Sequence, residues 1–141
     1  MKSFSEEVSL GLSKRNKKLS SKWFYDFNGS KLFEKITKLK EYYPTRTEKK
    51  ILKENKNEIA NKIGKNAVLI EPGAGDIKKI AIFLNNLNNP KKYIPLDISE
   101  DYITKISEGF KKKFPKVAIT PKGYDFSGNN KLPFKINSSE N

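Results

Sequence analysis

The sequence predicts an α/β fold, a parallel sheet of the doubly wound type with helices packed on it, and three observations carry that expectation. First, the run Ala67-Val68-Leu69-Ile70 is apolar without alternation and ends in Glu71-Pro72-Gly73-Ala74-Gly75-Asp76. Such a run suits a parallel strand covered on both faces, and glycines just past its end let the backbone approach a ligand at a helix N-terminus. Second, Ile77, Ile80, Ala81, Leu84 and Leu87 recur at helical spacing, so the unit reads strand, glycine turn, helix. Third, two more apolar runs, Tyr93-Ile94-Pro95-Leu96 and Val117-Ala118-Ile119-Thr120, enclose a second helical pattern. Strand and helix alternating in this way build a parallel sheet, with strand order 3-2-1 and the first strand at the centre.

Taken in order, residues 1–21 are polar, cluster Lys14, Arg15, Lys17 and Lys18, and offer few apolar anchors. They predict a flexible basic arm, loose or only partly helical. Residues 22–64 predict a helical segment. It opens on Trp23-Phe24-Tyr25, since adjacent aromatics are costly to leave in water. Ser30 is placed as an N-cap for a helix carrying Leu32, Phe33, Ile36 and Leu39. Thr45 and Glu48 stand at capping-box spacing for another, with Ile51, Leu52, Ile59 and Ile63 inward and Gly64 as its stop. These helices precede the first strand and are positioned to close a ligand crevice at one end of the sheet.

Residues 65–141 hold the strands. After the second strand, Ser99, Glu100 and Asp101 favour a helix start, with Tyr102, Ile103, Ile106 and Phe110 on the buried face. Lys111-Lys112-Lys113 falls in its last turn, where cations meet the helix dipole favourably, which is preferred to an RNA-binding patch. A Pro121/Gly123 turn then leads to Asp125-Phe126, and a Leu132-Pro133-Phe134 anchor stands in an otherwise polar tail. The Asp125-Phe126 pair reads either as an acceptor and a stacking ring for an adenine or as a polar turn beside a core phenylalanine.

The length of 141 residues allows one domain but is short for a complete doubly wound sheet with catalytic insertions. The first strand is central in that architecture, so here it is expected as an exposed apolar edge, either covered by a partner chain carrying the missing strands or left by truncation. With no cysteine and no histidine, there is no disulfide framework, no thiolate zinc site and no imidazole base. No metal site is expected, and chemistry falls to carboxylates, amides, phenols, lysines or a cofactor. No run of about 18 apolar residues or signal-like segment occurs, and the expected location is cytoplasmic, away from membranes.

The net charge is +13, from 29 basic against 16 acidic residues, which raises nucleic acid as a partner. Yet Arg15 and Arg46 are the only arginines, whereas base and phosphate recognition favours arginine's planar fork. A solvated lysine-rich surface is the preferred reading, and an RNA-binding or RNA-methylating protein is the alternative.

At the glycine turn, a dinucleotide fingerprint would require a third small residue where Lys78 stands, and the turn carries Pro72. The Glu71-x-Gly73-x-Gly75 pattern instead resembles the first motif of class I S-adenosylmethionine (SAM) methyltransferases. Asp97 follows at about the 20-residue distance at which a carboxylate accepts from the ribose hydroxyls.

Several separate motifs carry a more specific resemblance. Lys22-Trp23-Phe24-Tyr25-Asp26, Gly29-Ser30, Leu32-Phe33, Ile36-Thr37 and Glu41-Tyr42-Tyr43-Pro44-Thr45-Arg46-Thr47-Glu48 resemble the N-terminal signature of the SAM-dependent histidine-specific N-alpha-methyltransferases of the ergothioneine pathway. The spacing through Glu71–Gly75, Pro95–Ser99 and Asp125-Phe126 is similar too, so the likeness covers roughly residues 20–126. It implies a Rossmann-like class I sheet and SAM as cofactor, with residues 65–141 as the first half of the SAM-binding domain. It further implies that Gly73 and Lys79 contact the methionine part of SAM, Asp97 the ribose, and Asp125 and Phe126 the adenine. Tyr25 and Tyr42 would touch the amino-acid substrate, histidine, although from the residues alone Tyr25 reads as part of an aromatic cluster and Tyr42 as packing beside Pro44. No catalytic residue is assigned. Pro72 departs from the family, which often has leucine there. In the family much more chain follows the third strand, so this sequence reads as an N-terminal portion whose activity alone is doubtful, or as a non-catalytic remnant of a split gene.

Overall fold

The computed structural model describes residues 3–127, 131–132 and 134. Part of the expected Leu132-Pro133-Phe134 anchor, namely Pro133, lies outside the described residues, as does everything from residue 135 on.

The N-terminal stretch, expected to be loose or only partly helical, carries a regular helix, α1, at Phe4–Leu12. Its start is a capping box: Ser3 accepts from the Glu6 amide while the Glu6 carboxylate takes the Ser3 amide. Two donors that a helix start leaves without partners are thereby satisfied. A 3-10 turn at Ser21–Phe24 follows, then α2 at Phe27–Ile36. Here the sequence expectation needs correction, because the cap is Asp26, whose side chain accepts from Gly29 N at 2.7 Å, and Ser30 is buried inside the helix. The helix also stops before Leu39, which is 52% exposed.

The next helix, α3 at Pro44–Ile63, starts without a side-chain cap, so the expected Thr45/Glu48 capping box is absent. Proline in the first turn needs no partner for an amide hydrogen, and its ring presets the helical φ. Of the residues expected inward, Leu52 and Ile59 are half-buried while Ile51 and Ile63 are exposed. Gly64 ends the helix at φ +82°, as expected for a C-terminal stop.

The sheet follows the predicted order. β1 at Val68–Pro72 pairs in parallel with β2 at Lys92–Asp97, in register Leu69 to Tyr93 and Pro72 to Leu96. The connecting helix is α4, Ile77–Leu84, and β2 returns through α5, Glu100–Lys113. The third strand is shorter than expected and interrupted: β3 at Ala118–Ile119 and β4 at Lys122–Gly123 both pair in parallel with β2. Pro121, between them, has no amide hydrogen to give the ladder. The core sits between the sheet and α4 and α5, where Ala74, Ile80, Leu84, Tyr93, Ile103 and Ile119 form one buried cluster. Such a cluster locks the strand ends, and the loops that leave them, into one arrangement.

Among the described residues β1 pairs with β2 alone. A groove of about 400 Å³ runs beside it, lined among others by Leu52, Ile63, Val68, Ile70, Ile80 and Phe83. Val68, Leu69 and Ile70 are half-buried, less covered than a central strand would be. Among the described residues no helix is long and apolar enough to cross a membrane.

Candidate functional site

The strand ends determine where the site lies. Beyond β1 the chain turns at Gly73 with φ +65°, a conformation that side chains rarely adopt, and no atom lies within 4 Å of where a Cβ would stand. The amide of fully buried Ala74 donates to Leu96 O at 3.0 Å, tying the turn to the end of β2. Asp76 caps α4 by accepting from Lys78 N at 3.0 Å, and its second oxygen pairs with Lys49 Nζ at 2.7 Å. The glycine turn is thus held from below and from the side, with its backbone open at Gly73.

Asp97 ends β2 beside this turn. A Cβ at Gly75 would stand 3.7 Å from Asp97 Oδ2, so the glycine leaves room between backbone and carboxylate. The other oxygen accepts from Ser99 N at 3.0 Å, and the Asp97 carbonyl accepts from Tyr124 N at 2.7 Å. Burial pushes the Asp97 carboxyl above its ordinary range, against the amides of Ser99 and Ile98, which favour the anion. Tyr102, on α5, donates its hydroxyl to Gly75 O at 3.4 Å.

Of these groups Gly73, Gly75, Asp76, Asp97 and Tyr102 line one cavity of about 370 Å³. Its floor includes Gly73, Gly75, Asp97 and Lys79, and its walls come from the helices that precede the sheet and from Phe126. Tyr25 stacks edge-on to Phe33 at 5.9 Å and Phe33 edge-on to Tyr42 at 5.8 Å, a row of three rings with Phe33 of α2 in the middle. Among the described residues no hydrogen bond engages either tyrosine hydroxyl. Phe126 is 46% exposed and stacks edge-on to Tyr124 at 4.7 Å.

The residues named from the sequence therefore fall around one cavity, with Asp125 the exception. Its carboxylate accepts from Ser127 N at 2.8 Å and pairs with Lys22 Nζ at 3.3 Å, beside the cavity rather than on its lining. The bonds from Ser127, and then Lys22, hold this carboxyl below its ordinary range. Lys79 is also engaged: its ammonium lies 3.1 Å from Glu48 Oε1 and 3.9 Å from Glu71 Oε1. Sequence reasoning missed Glu48 because its spacing from Thr45 suggested a cap. It passed over Tyr102, which helical periodicity assigned to the core, and Lys22, which stood beside more conspicuous aromatics.

The sequence profile of a family described as histidine-specific methyltransferase, SAM-dependent, matches residues 4–140. The chain belongs to that family. It is 34% identical over 123 residues to a protein of Mycobacterium tuberculosis named histidine N-alpha-methyltransferase, and 35% identical over 123 residues to one of the same name from Mycolicibacterium smegmatis. Each match covers 85% of this chain but 38% of the relative. A Neurospora crassa protein named ergothioneine biosynthesis protein 1 is 41% identical over 80 residues, 55% of this chain and 9% of that protein. In family terms the chain spans well under half the length of the curated relatives it matches. Within that span lie the glycine turn, Asp97 and the aromatic N-terminal motif.

Proposed function

We propose that this chain supplies the cofactor side, and part of the substrate side, of a methyltransferase that moves a methyl group from SAM to the α-amino group of histidine. The observation that carries the reading is the convergence of Gly73, Gly75 and Asp97, from the ends of two parallel strands, on a cavity walled by Tyr25, Tyr42 and Phe126. The donor set suits the nucleoside. Open backbone at Gly73 admits a close approach, the Asp97 carboxylate is an acceptor for ribose hydroxyls, Lys79 is a cation for the methionine carboxylate, and Phe126 exposes a ring to the base with Asp125 beside it.

When bound, SAM supplies an activated methyl group on a sulfonium. The work left to the protein is to align an unprotonated amine with that methyl and to exclude water. Tyr25 and Tyr42 serve the second reactant: their phenol hydroxyls, on rings packed either side of Phe33, give an amino acid hydrogen-bond partners in a largely apolar wall. A partner chain carrying further strands would pair along the outer edge of β1, beside the Leu52 and Phe83 groove.

The test combines S-adenosylhomocysteine binding with a transfer assay on the purified chain. Binding is expected, with affinity that hardly changes between low and high salt, while histidine methylation by the chain alone stays at background because the substrate side is incomplete. Absence of binding would overturn the reading. A steep loss of affinity with salt would point to a polyanion ligand instead. A monodisperse monomer that methylates histidine would show that these elements suffice and that no further strands are needed.

A further inference from the structure

Away from the cavity floor, one ammonium joins segments that are distant in sequence. Lys22 Nζ lies 2.6 Å from Glu7 Oε1 on α1 and 3.3 Å from Asp125 Oδ2 in the loop after β4. The second Glu7 oxygen accepts from Trp23 Nε1 at 2.9 Å, and Phe4 stacks edge-on to the Trp23 ring at 5.1 Å. The side chains of Lys22 and Asp125 are 13% and 12% exposed, so water screens their attraction less than it screens a surface pair.

The position of this clasp is what gives it a function. Asp125 immediately precedes Phe126 and the 3-10 turn holding Lys22 immediately precedes Tyr25, and both rings line the cavity. The Ser127 amide holds one Asp125 oxygen and Lys22 the other, so the carboxylate is fixed at both ends. A carboxylate held in one orientation discriminates strongly between a donor and an acceptor presented to it.

We propose that Lys22 is a positioning residue for the nucleoside: by binding Glu7 and Asp125 together it holds Asp125 at the edge of the cavity, next to the Phe126 ring that lines it, and so selects a purine bearing an exocyclic amino group. The proposal rests on the SAM reading of the cavity. An amino purine presents a donor to the Asp125 side, whereas a 6-oxo purine presents a carbonyl that the carboxylate repels. Lys22 acts through Asp125 and touches no reacting atom.

The experiment is a calorimetric titration of S-adenosylhomocysteine and S-inosylhomocysteine into the full chain, as wild type, Lys22→Met and Lys22→Arg. Wild type is expected to prefer the adenosine form. Lys22→Met should reduce the ratio of the two affinities at least tenfold, and Lys22→Arg should restore most of it. If Lys22→Met does not fold, Glu7→Gln reads the same clasp from its other arm and should lower the ratio severalfold. An unchanged ratio in Lys22→Met, or in Glu7→Gln where that variant must serve, overturns the proposal while leaving the cofactor reading intact. An equal loss of affinity for both nucleosides also overturns it, because that is what a merely structural role would give. Failure of wild type to bind either compound overturns the proposal and the cofactor reading together.

Discussion

The phenol of Tyr93 donates to the carboxylate of Glu71 at 2.5 Å, joining β2 to the end of β1 just below the glycine turn. Tyr93 is fully buried, and burial together with the Glu71 anion pushes its phenol upward, so it remains a donor. Tyr93→Phe removes that donor and leaves a half-buried carboxylate short of a partner. The expected cost is about 1.5–3 kcal/mol in urea unfolding, as for a hydrogen bond to a charged group. A change near zero would mean that the bond contributes no net stability.

Burial raises the Glu71 carboxyl above its ordinary range, with the Tyr93 bond and Lys79 opposing that shift. A carboxyl whose folded pKa is raised favours folding most below its unfolded pKa, and that contribution is lost as pH rises through the folded value. Glu71→Gln does not titrate. The melting temperature of the variant minus that of wild type should therefore be more positive near pH 7 than near about pH 4, the unfolded carboxylate range. A difference that moved the other way would show Lys79 outweighing burial.

Two helical glycines should respond to alanine with opposite sign. At Gly29, in α2, a Cβ would stand 1.5 Å from the Phe24 carbonyl oxygen, so the 3-10 turn must move, at a cost of about 2 kcal/mol or more. At Gly109, in α5, nothing lies within 4 Å, and alanine should stabilise by about 0.5–1 kcal/mol through helix propensity. Chemical unfolding of both variants checks the pair, and a tolerated Gly29→Ala would contradict the close packing of α2 on the turn.

Tyr42 packs edge-on against Phe33 through its ring, with no described hydrogen bond to its hydroxyl. Tyr42→Phe keeps the ring contact and removes the hydroxyl. Cofactor affinity should be spared, while histidine binding or turnover should weaken in a form that holds the complete active site. Loss of thermal stability or of cofactor affinity instead would assign Tyr42 to packing.

The sheet was legible because its signals are local and strong. The unbroken apolar runs of β1 and β2 and the helical spacing of α4 and α5 each lie within a single element. The places of Gly73 and Asp97 at the strand ends were reachable because the turn and its spacing mark them directly, whereas Tyr42 was named only through the family resemblance, the residues alone reading as packing beside Pro44. Helix starts were less legible: Asp26 and Ser30 are both good capping residues, and only the close approach of Gly29 to the Phe24 carbonyl favours the earlier start. The Glu7, Lys22 and Asp125 clasp had no signal in the sequence: Glu7 sat in a polar arm, Lys22 and Asp125 in two separate motifs, and nothing local pairs residues so far apart. In Lys79 the sequence showed a cation but not Glu48, which the packing of α3 on α4 brings to it.

Calorimetric titration of S-adenosylhomocysteine into wild type and Asp97→Ala tests the central claim most directly, because Asp97 is the carboxylate that ends β2 beside the glycine turn. Wild type should bind, and the variant should bind about 1–3 kcal/mol more weakly through loss of a charged acceptor. Equal affinity in the two proteins, or no binding by wild type, would contradict the assignment of this cavity to SAM.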